Sequence, residues 1–129
     1  MKTIIIKPAK VEINPILKNE IKTLCEEECQ VVVHCSLLIP YPMRLRIWKS
    51  THLISHNSNK QSVLVHAENI SFHPQWTICF EGIYQFTLFF KGLPKDCTVF
   101  DLFENIPEPG GFMKKNVKRN NSDVYHIKL

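Results

Sequence analysis

A two-residue alternation of side-chain character constrains the fold of this chain more than any other feature. It is clearest in residues 84–90, where Tyr, Phe, Leu and Phe occupy the even positions and Gln, Thr and Phe the odd ones. Successive side chains of a β-strand point to opposite faces, so this pattern predicts a strand. A helix would instead repeat every three to four residues.

The amino-acid composition also favours strands. The chain contains 14 Ile and 9 Val but only 2 Ala. Branched side chains fit a pleated, half-buried surface, whereas Ala is the best helix former. A length of 129 residues is typical of one domain that buries its own core, so we expect a single domain over residues 1–129.

Apolar runs separated by Pro, Gly and Asn predict eight or nine short strands, and no repeated strand–helix–strand rhythm is present. The pattern therefore predicts an antiparallel two-sheet β-sandwich, with a barrel as the second choice. The predicted strands are 29–39, 44–49 with 51–55, 62–66, 69–73, 76–80, 84–90, 98–104, 112–117 and 124–129. The predicted core is led by Val31, Val33, Leu37, Leu45, Ile47, Leu64, Trp76, Ile78, Phe86, Leu88, Phe100 and Leu102.

One helix is predicted near the start of the chain, at about residues 15–28. Asn14 accepts hydrogen bonds from a first helical turn, and Pro15 suits its first position. The apolar residues that follow recur at helical spacing. A short edge strand is predicted at residues 3–6.

Charge and cysteine content limit the class of protein. The net charge is +4 and the pI about 8.8, a mild excess that favours solubility and an acidic partner. The three-residue apolar run near Met1 is too short for a signal peptide, and no window is apolar enough for a membrane span. We therefore expect a cytoplasmic protein whose five cysteines are reduced.

No pattern specifies a reaction, and neither a metal site nor another cofactor is predicted. An alternative hypothesis is a small hydrolase or carbohydrate-binding enzyme with a His/carboxylate site, built from His52, His56 and His66 or from acids near Glu104. A second alternative is a weak basic nucleic-acid binder, because Lys114, Lys115, Lys118 and Arg119 are close together. The aromatic residues Tyr41, Trp48, Trp76 and Tyr84 are candidates for lining a carbohydrate or peptide groove.

Residues 86–95, Phe-Thr-Leu-Phe-Phe-Lys-Gly-Leu-Pro-Lys, and residues 100–104, Phe-Asp-Leu-Phe-Glu, resemble the closing strands of small β-sandwich proteins of Bacteroidetes. Those proteins are similar to immunoglobulin-like accessory domains. The resemblance covers the C-terminal half and implies an immunoglobulin-like or jelly-roll sandwich. It carries no catalytic motif.

The leading hypothesis is a non-enzymatic interaction module whose partner is another protein. Loops on a rigid sandwich are common binding sites, and exposed sheet edges can pair with a partner strand. We expect sheet edges or the loops on either side of the strand at 112–117 to make the contacts. The candidate binding residues are Glu108, Gly110, Gly111, Lys118, Arg119, Asn120 and Asp123.

Overall fold

The computed structural model describes residues 31–58 and 60–129 and is mainly β, as predicted, with no helix among these residues. The predicted helix at 15–28 and the predicted edge strand at 3–6 lie outside the described residues. The strands are β1 (Val31–Ile39), β2 (Met43–Leu45), β3 (Thr51–Ser55), β4 (Gln61–Glu68), β5 (Thr77–Cys79), β6 (Gly82–Phe90), β7 (Val99–Glu104), β8 (Met113–Lys118) and β9 (Val124–Lys128).

Seven strands form one sheet in the order β8-β7-β3-β4-β6-β1-β9, and β2 pairs with β5 in a separate two-stranded sheet. The large sheet curls until it is nearly barrel-like. Phe100 of β7 packs edge-on against Tyr125 of β9, with ring centroids 5.0 Å apart, although β7 and β9 lie near opposite ends of the strand order. The first half of β4 pairs with β3 and the second half pairs with β6. The register with β6 shifts between Leu64 and His66, close to this change of partner.

The pairs in the large sheet are antiparallel except for β1 and β9, which are parallel. The expectation of a purely antiparallel arrangement is therefore wrong at this pair. The cause is the direction in which β9 enters the sheet. Five antiparallel pairings lead from β8 to β1, so β1 runs opposite to β8. The short turn after β8 also reverses the chain, so β9 runs in the same direction as β1 and pairs with it in parallel.

The core fills the inside of the curled sheet. Most of the predicted core is confirmed, including Phe86, Phe100 and Leu102, which are almost completely buried. Leu37 is only partly buried. Two predicted core residues are wrong, because Trp76 is 43% exposed and Ile78 is 65% exposed. Here Cys79 is the inward residue of β5, and alternation alone does not say which face of a strand is covered.

Three predicted strands differ from expectation, and the one predicted at 69–73 is wrong, because that segment contains only an isolated bridge at Phe72. The segment 44–49 contributes only β2 and an isolated parallel bridge from Ile47 to Phe72. The predicted strand at 62–66 extends through Glu68 and ends at Asn69, whose φ of 65° lies in the left-handed region. Asn tolerates this conformation better than most residues.

Replacing Phe100 by Ala is expected to lower the free energy of unfolding by about 3–5 kcal/mol, because it removes a fully buried ring from the core. Phe80, which is 71% exposed, is the matched control, and Phe80→Ala is expected to change stability by less than about 0.5 kcal/mol. Urea unfolding followed by tryptophan fluorescence measures both. Equal losses for the two variants would contradict the assignment of faces.

Candidate functional site

Five large apolar side chains at one end of the molecule are strongly exposed. Each shows about two thirds of its surface, between 65% and 71%. They are Leu38, Tyr41, Ile78, Phe80 and Ile83, and we call this surface the apolar end.

Strand pairing brings these five residues together. Leu38 lies directly opposite Ile83 at the end of β1 and the start of β6. Phe80 follows the last residue of β5, and Tyr41 lies in the connection from β1 to β2, which itself pairs with β5. The apolar end is therefore built from the paired ends of β1 and β6 together with the short connections that lead to β2 and from β5.

A stack of cationic and aromatic side chains borders the apolar end. The Arg46 guanidinium lies 3.9 Å from the ring centroid of Trp76 and 5.6 Å from that of Trp48. The Arg44 guanidinium lies 4.9 Å from the Trp76 ring, and the His73 ring stacks on Trp48 at 3.7 Å. We call these five residues the Arg–Trp stack. Cation–π contacts of this kind stabilise a surface and restrict its side chains.

Arg46 connects the Arg–Trp stack to two loops. Its guanidinium forms an ion pair with Glu108 at 3.1 Å and donates a hydrogen bond to the carbonyl oxygen of Pro74. The Arg46 side chain is only 13% exposed, and its Nε and the Trp48 Nε1 have no hydrogen-bond partner among the described residues. The stack thus holds the 72–76 and 105–109 loops beside β2, and it presents Trp76 next to Ile78.

The buried carboxylate of Glu104 fixes the backbone of the same region from the core side. Glu104 accepts hydrogen bonds from the backbone N–H groups of Trp48 and Phe112, each at 3.0 Å. Burial raises the pKa of Glu104, although these two N–H groups oppose the shift. Both carboxylate oxygens are engaged by backbone groups, so the geometry gives Glu104 a structural role.

The first of the two predicted binding loops is also tightly held. Glu108 is bound by Arg46. A Cβ at Gly111 would lie 2.5 Å from the backbone oxygen of Glu104, so only glycine fits there without a shift. Gly110 has a φ of 92°, a conformation that favours glycine. These residues let the chain turn close to β7.

In the second predicted binding loop, at 119–123, the polar side chains form hydrogen bonds within the loop and with the neighbouring backbone. Arg119 forms two hydrogen bonds of 3.1 Å with the Asp123 carboxylate and also donates to backbone carbonyls at Pro94 and Cys97. Asn120 accepts from the backbone N–H groups of Ser122 and Asp123. Since β8 separates this loop from the first one, the two loops lie at opposite ends of a strand and do not form one surface.

The basic residues of β8 lie along a sheet edge. Lys114, Lys115 and Lys118 are exposed there, whereas Arg119 is engaged in the turn. Lysines on an edge strand hinder pairing with another chain. This edge is therefore poorly suited to strand addition.

The three histidines proposed for an enzymatic site are held in different surroundings. The His52 ring is near the Ser50 carbonyl oxygen, His56 lies 2.7 Å from Asp101, and His66 lies 3.9 Å from the exposed Glu68. Glu104 points into the core, on the opposite face of β7 from Asp101. The structure does not bring these histidines and Glu104 together.

The described cysteines are buried, and none is paired. They are Cys35, Cys79 and Cys97; Cys25 and Cys29 lie outside the described residues. Burial raises the pKa of Cys35 to about 12, so its thiol is not a nucleophile near neutral pH. Within residues 31–58 and 60–129, no three His, Cys, Asp or Glu side chains group around a point where a metal ion would fit.

The part of the chain that the structure describes has no helix of the length and apolarity needed to cross a bilayer. Comparisons with known proteins add no further assignment. No protein-family model, curated protein or solved structure matches the chain.

Sequence reasoning missed the apolar end because Leu38 and Phe80 were placed in strands and Ile78 in the core, and only Tyr41 was named as a candidate for lining a groove. Local sequence offers one clue. Tyr41 stands between Pro40 and Pro42, and Phe80 precedes Glu81 and Gly82, so both aromatic residues lie where turns are expected. An aromatic side chain in a turn has no sheet neighbour that would require its burial.

Replacing Glu104 by Gln is expected to lower the free energy of unfolding by about 1–3 kcal/mol, because the amide group can accept only one of the two backbone N–H groups. Glu108→Gln is the control. It weakens only a surface ion pair and is expected to cost about 0–1 kcal/mol. Chemical unfolding at pH 7 measures both variants. If Glu104→Gln proved no worse than Glu108→Gln, the structural role of Glu104 would be wrong.

Proposed function

We propose that this protein is a non-enzymatic protein-binding module that docks its partner on the apolar end. The observation that supports this most is the exposure of all five side chains, each about two thirds accessible. Together they expose on the order of 600 Å² of surface, at the upper limit for the largest apolar patch of a typical monomer. An apolar patch of this size is often functional.

The energetic gain from covering this surface is substantial. At about 25 cal/mol per Å², burial of the apolar end would contribute on the order of 15 kcal/mol before the costs of association. Those costs are of similar size, so the patch fits a specific contact of ordinary affinity. Aromatic residues such as Phe80 and Tyr41 are the expected anchors, because aromatic side chains dominate binding energy at interfaces.

The charges around the apolar end favour an acidic partner. Arg44 lies opposite Ile78 in the β2–β5 pair, and Lys128 lies opposite Ser36, two residues before Leu38. Glu81 is the single acid in the adjoining turn. The partner we propose is therefore a different protein with an apolar patch bordered by Asp and Glu. Docking of two copies of this chain would bring like charges closer together.

The Arg–Trp stack supports the same proposal by fixing the border of the surface. The Trp76 ring contacts two guanidinium groups, those of Arg44 and Arg46, and Arg46 is anchored by Glu108. Side chains already held in place lose less entropy when a partner binds. The stack would therefore present Arg44 and Trp76 to the partner in a defined geometry.

For the fold we propose a two-layer sandwich related to immunoglobulin-like bacterial domains, with a helix at 15–28. The bend at β4 supports two layers, β8-β7-β3-β4 and β4-β6-β1-β9. Contact between Phe100 and Tyr125 across the core supports this division. Solution NMR secondary shifts for residues 15–28 would test the helix.

Replacing Phe80 by Asp is expected to abolish binding to the partner, because it places a charge at the centre of the apolar end. The full-length tagged protein is used in a pull-down from host lysate, and the captured partner is then purified and titrated by calorimetry. Met113→Asp is the matched control, since Met113 is 48% exposed on a different strand. Arg44→Gln is expected to weaken binding by about two- to tenfold at low salt and less at high salt.

Four outcomes would overturn the proposal. Absence of any stoichiometric partner is one, and a partner retained by Phe80→Asp is another. A wild-type dimer that Phe80→Asp dissociates, measured by light scattering, would assign the surface to a second copy. A fall in the melting temperature of Phe80→Asp by more than about 5 °C would show that the chain itself covers Phe80.

A further inference from the structure

A cavity of about 540 Å³ lies on the outer face of β4, β6, β1 and β9, away from the core. This volume falls within the range of small-molecule sites. Cross-strand pairing places two rows of polar side chains on this face. The first row is Glu68, Thr87, His34 and His126, and the second is Gln85, Ser36 and Lys128.

The first row is organised by direct contacts. His34 Nδ1 forms a 2.9 Å hydrogen bond with the Thr87 hydroxyl. The rings of His34 and His126 stack with centroids 4.9 Å apart and planes 24° from parallel. Both imidazoles are therefore held in position on adjacent strands rather than projecting freely.

Hydrogen-bond donors dominate one side of this cavity. Lys128 supplies an ammonium group, Ser36 a hydroxyl, and His126 an imidazole ring whose N–H can donate a hydrogen bond. Among the described residues, Glu68 is the only carboxylate that lines the cavity, and it belongs to β4, at the opposite side. Three strand spacings separate β4 from β9, roughly 14 Å along the sheet.

We propose that this cavity binds the dianion of a phosphate monoester at its β1–β9 side. A phosphoryl group offers three acceptor oxygens and about two negative charges. The ammonium of Lys128, the hydroxyl of Ser36 and the imidazole of His126 provide matching donors from neighbouring strands. Charge-assisted hydrogen bonds of this type are about twice as strong as neutral ones.

The surroundings of the two rows fit the organic part of such a ligand. Val32 and Phe89 form an apolar pair on one side of the polar rows, and Leu38 and Ile83 form another on the other side. An apolar or aromatic substituent would pack on Leu38 and Ile83, two residues along β1 from Ser36, while the phosphoryl group reaches Lys128. Inorganic phosphate lacks this contact and is expected to bind more weakly.

This site does not depend on the proposed function, although it borders the apolar end at Leu38 and Ile83. Phe80→Asp separates the two, because Phe80 does not line the cavity. That variant is expected to lose the protein partner and to bind phosphate monoesters as wild type does.

The test is calorimetric titration of the full chain with phenyl phosphate and, separately, inorganic phosphate, at pH 7 and low ionic strength. We expect saturable binding of phenyl phosphate with a Kd of about 1 mM or tighter, and at least threefold weaker binding of inorganic phosphate. Lys128→Gln is expected to weaken binding by about tenfold. Glu68→Gln is expected to strengthen it by up to about twofold, since it removes a like charge.

Lys114→Gln is the matched control, because it removes an exposed positive charge from β8, outside the cavity. Circular dichroism confirms the folding of each variant, and His126 and Lys128 are exposed, so the cavity variants should fold normally. Absence of saturable binding would overturn the proposal. Equal weakening by Lys128→Gln and Lys114→Gln would overturn it too, because that result indicates only nonspecific attraction. Equal affinities for the two phosphates would limit the site to the free anion and reject the monoester.

Discussion

Contact between Phe100 and Tyr125 across the core is the interaction on which the rest of the structure depends. It joins strands near opposite ends of a seven-stranded order, so it holds the sheet in its curled form. Curling encloses one face of every strand and leaves the other outside. The last strand of the order, β9, pairs in parallel with β1, and this pairing aligns His34 with His126 on the outer face. The strands that bring Phe100 and Tyr125 together in the core therefore also carry the polar residues on the other side of the sheet.

Buried polar groups hold the segments that the curled sheet leaves unpaired. Glu104 fixes the backbone at Trp48 and Phe112, and Arg46 fixes Glu108 and the loop after Phe72. Neither β2 nor β5 belongs to the large sheet, so their position depends on these contacts and on the Arg–Trp stack. Disturbing the Glu104 contacts is costly, because groups at this buried site then stay without their hydrogen bonds. The apolar end is consequently displayed on a rigid frame even though it is built partly from loops.

Strand positions were largely predictable from the sequence, whereas the candidate surfaces were not. Alternation located β6 and β7 almost to the residue, because a period of two is a property of each strand alone. The exposure of Ile78 depends on β5 pairing only with β2, and this pairing is a feature of the tertiary structure that alternation along one strand does not reveal. The row formed by Thr87, His34 and His126 requires the pairing partners and register of three strands, separated by long stretches of sequence. The loop residues Arg119 and Asp123 looked available because their sequence is polar, but they bond to each other.

The two candidate surfaces differ in what can contact them. The apolar end consists of exposed apolar side chains in and beside turns, so only another extended apolar surface can cover it efficiently. The cavity over β1 and β9 is concave and donor-rich, and its polar groups are spaced by the fixed distance between strands. A small anion satisfies those groups without excluding water from a large area. Because Leu38 and Ile83 belong to the apolar end and also border the cavity, a partner docked at that end would alter solvent access to the polar rows. Binding at one surface is therefore expected to affect affinity at the other, and by thermodynamic linkage the effect must be equal in both directions.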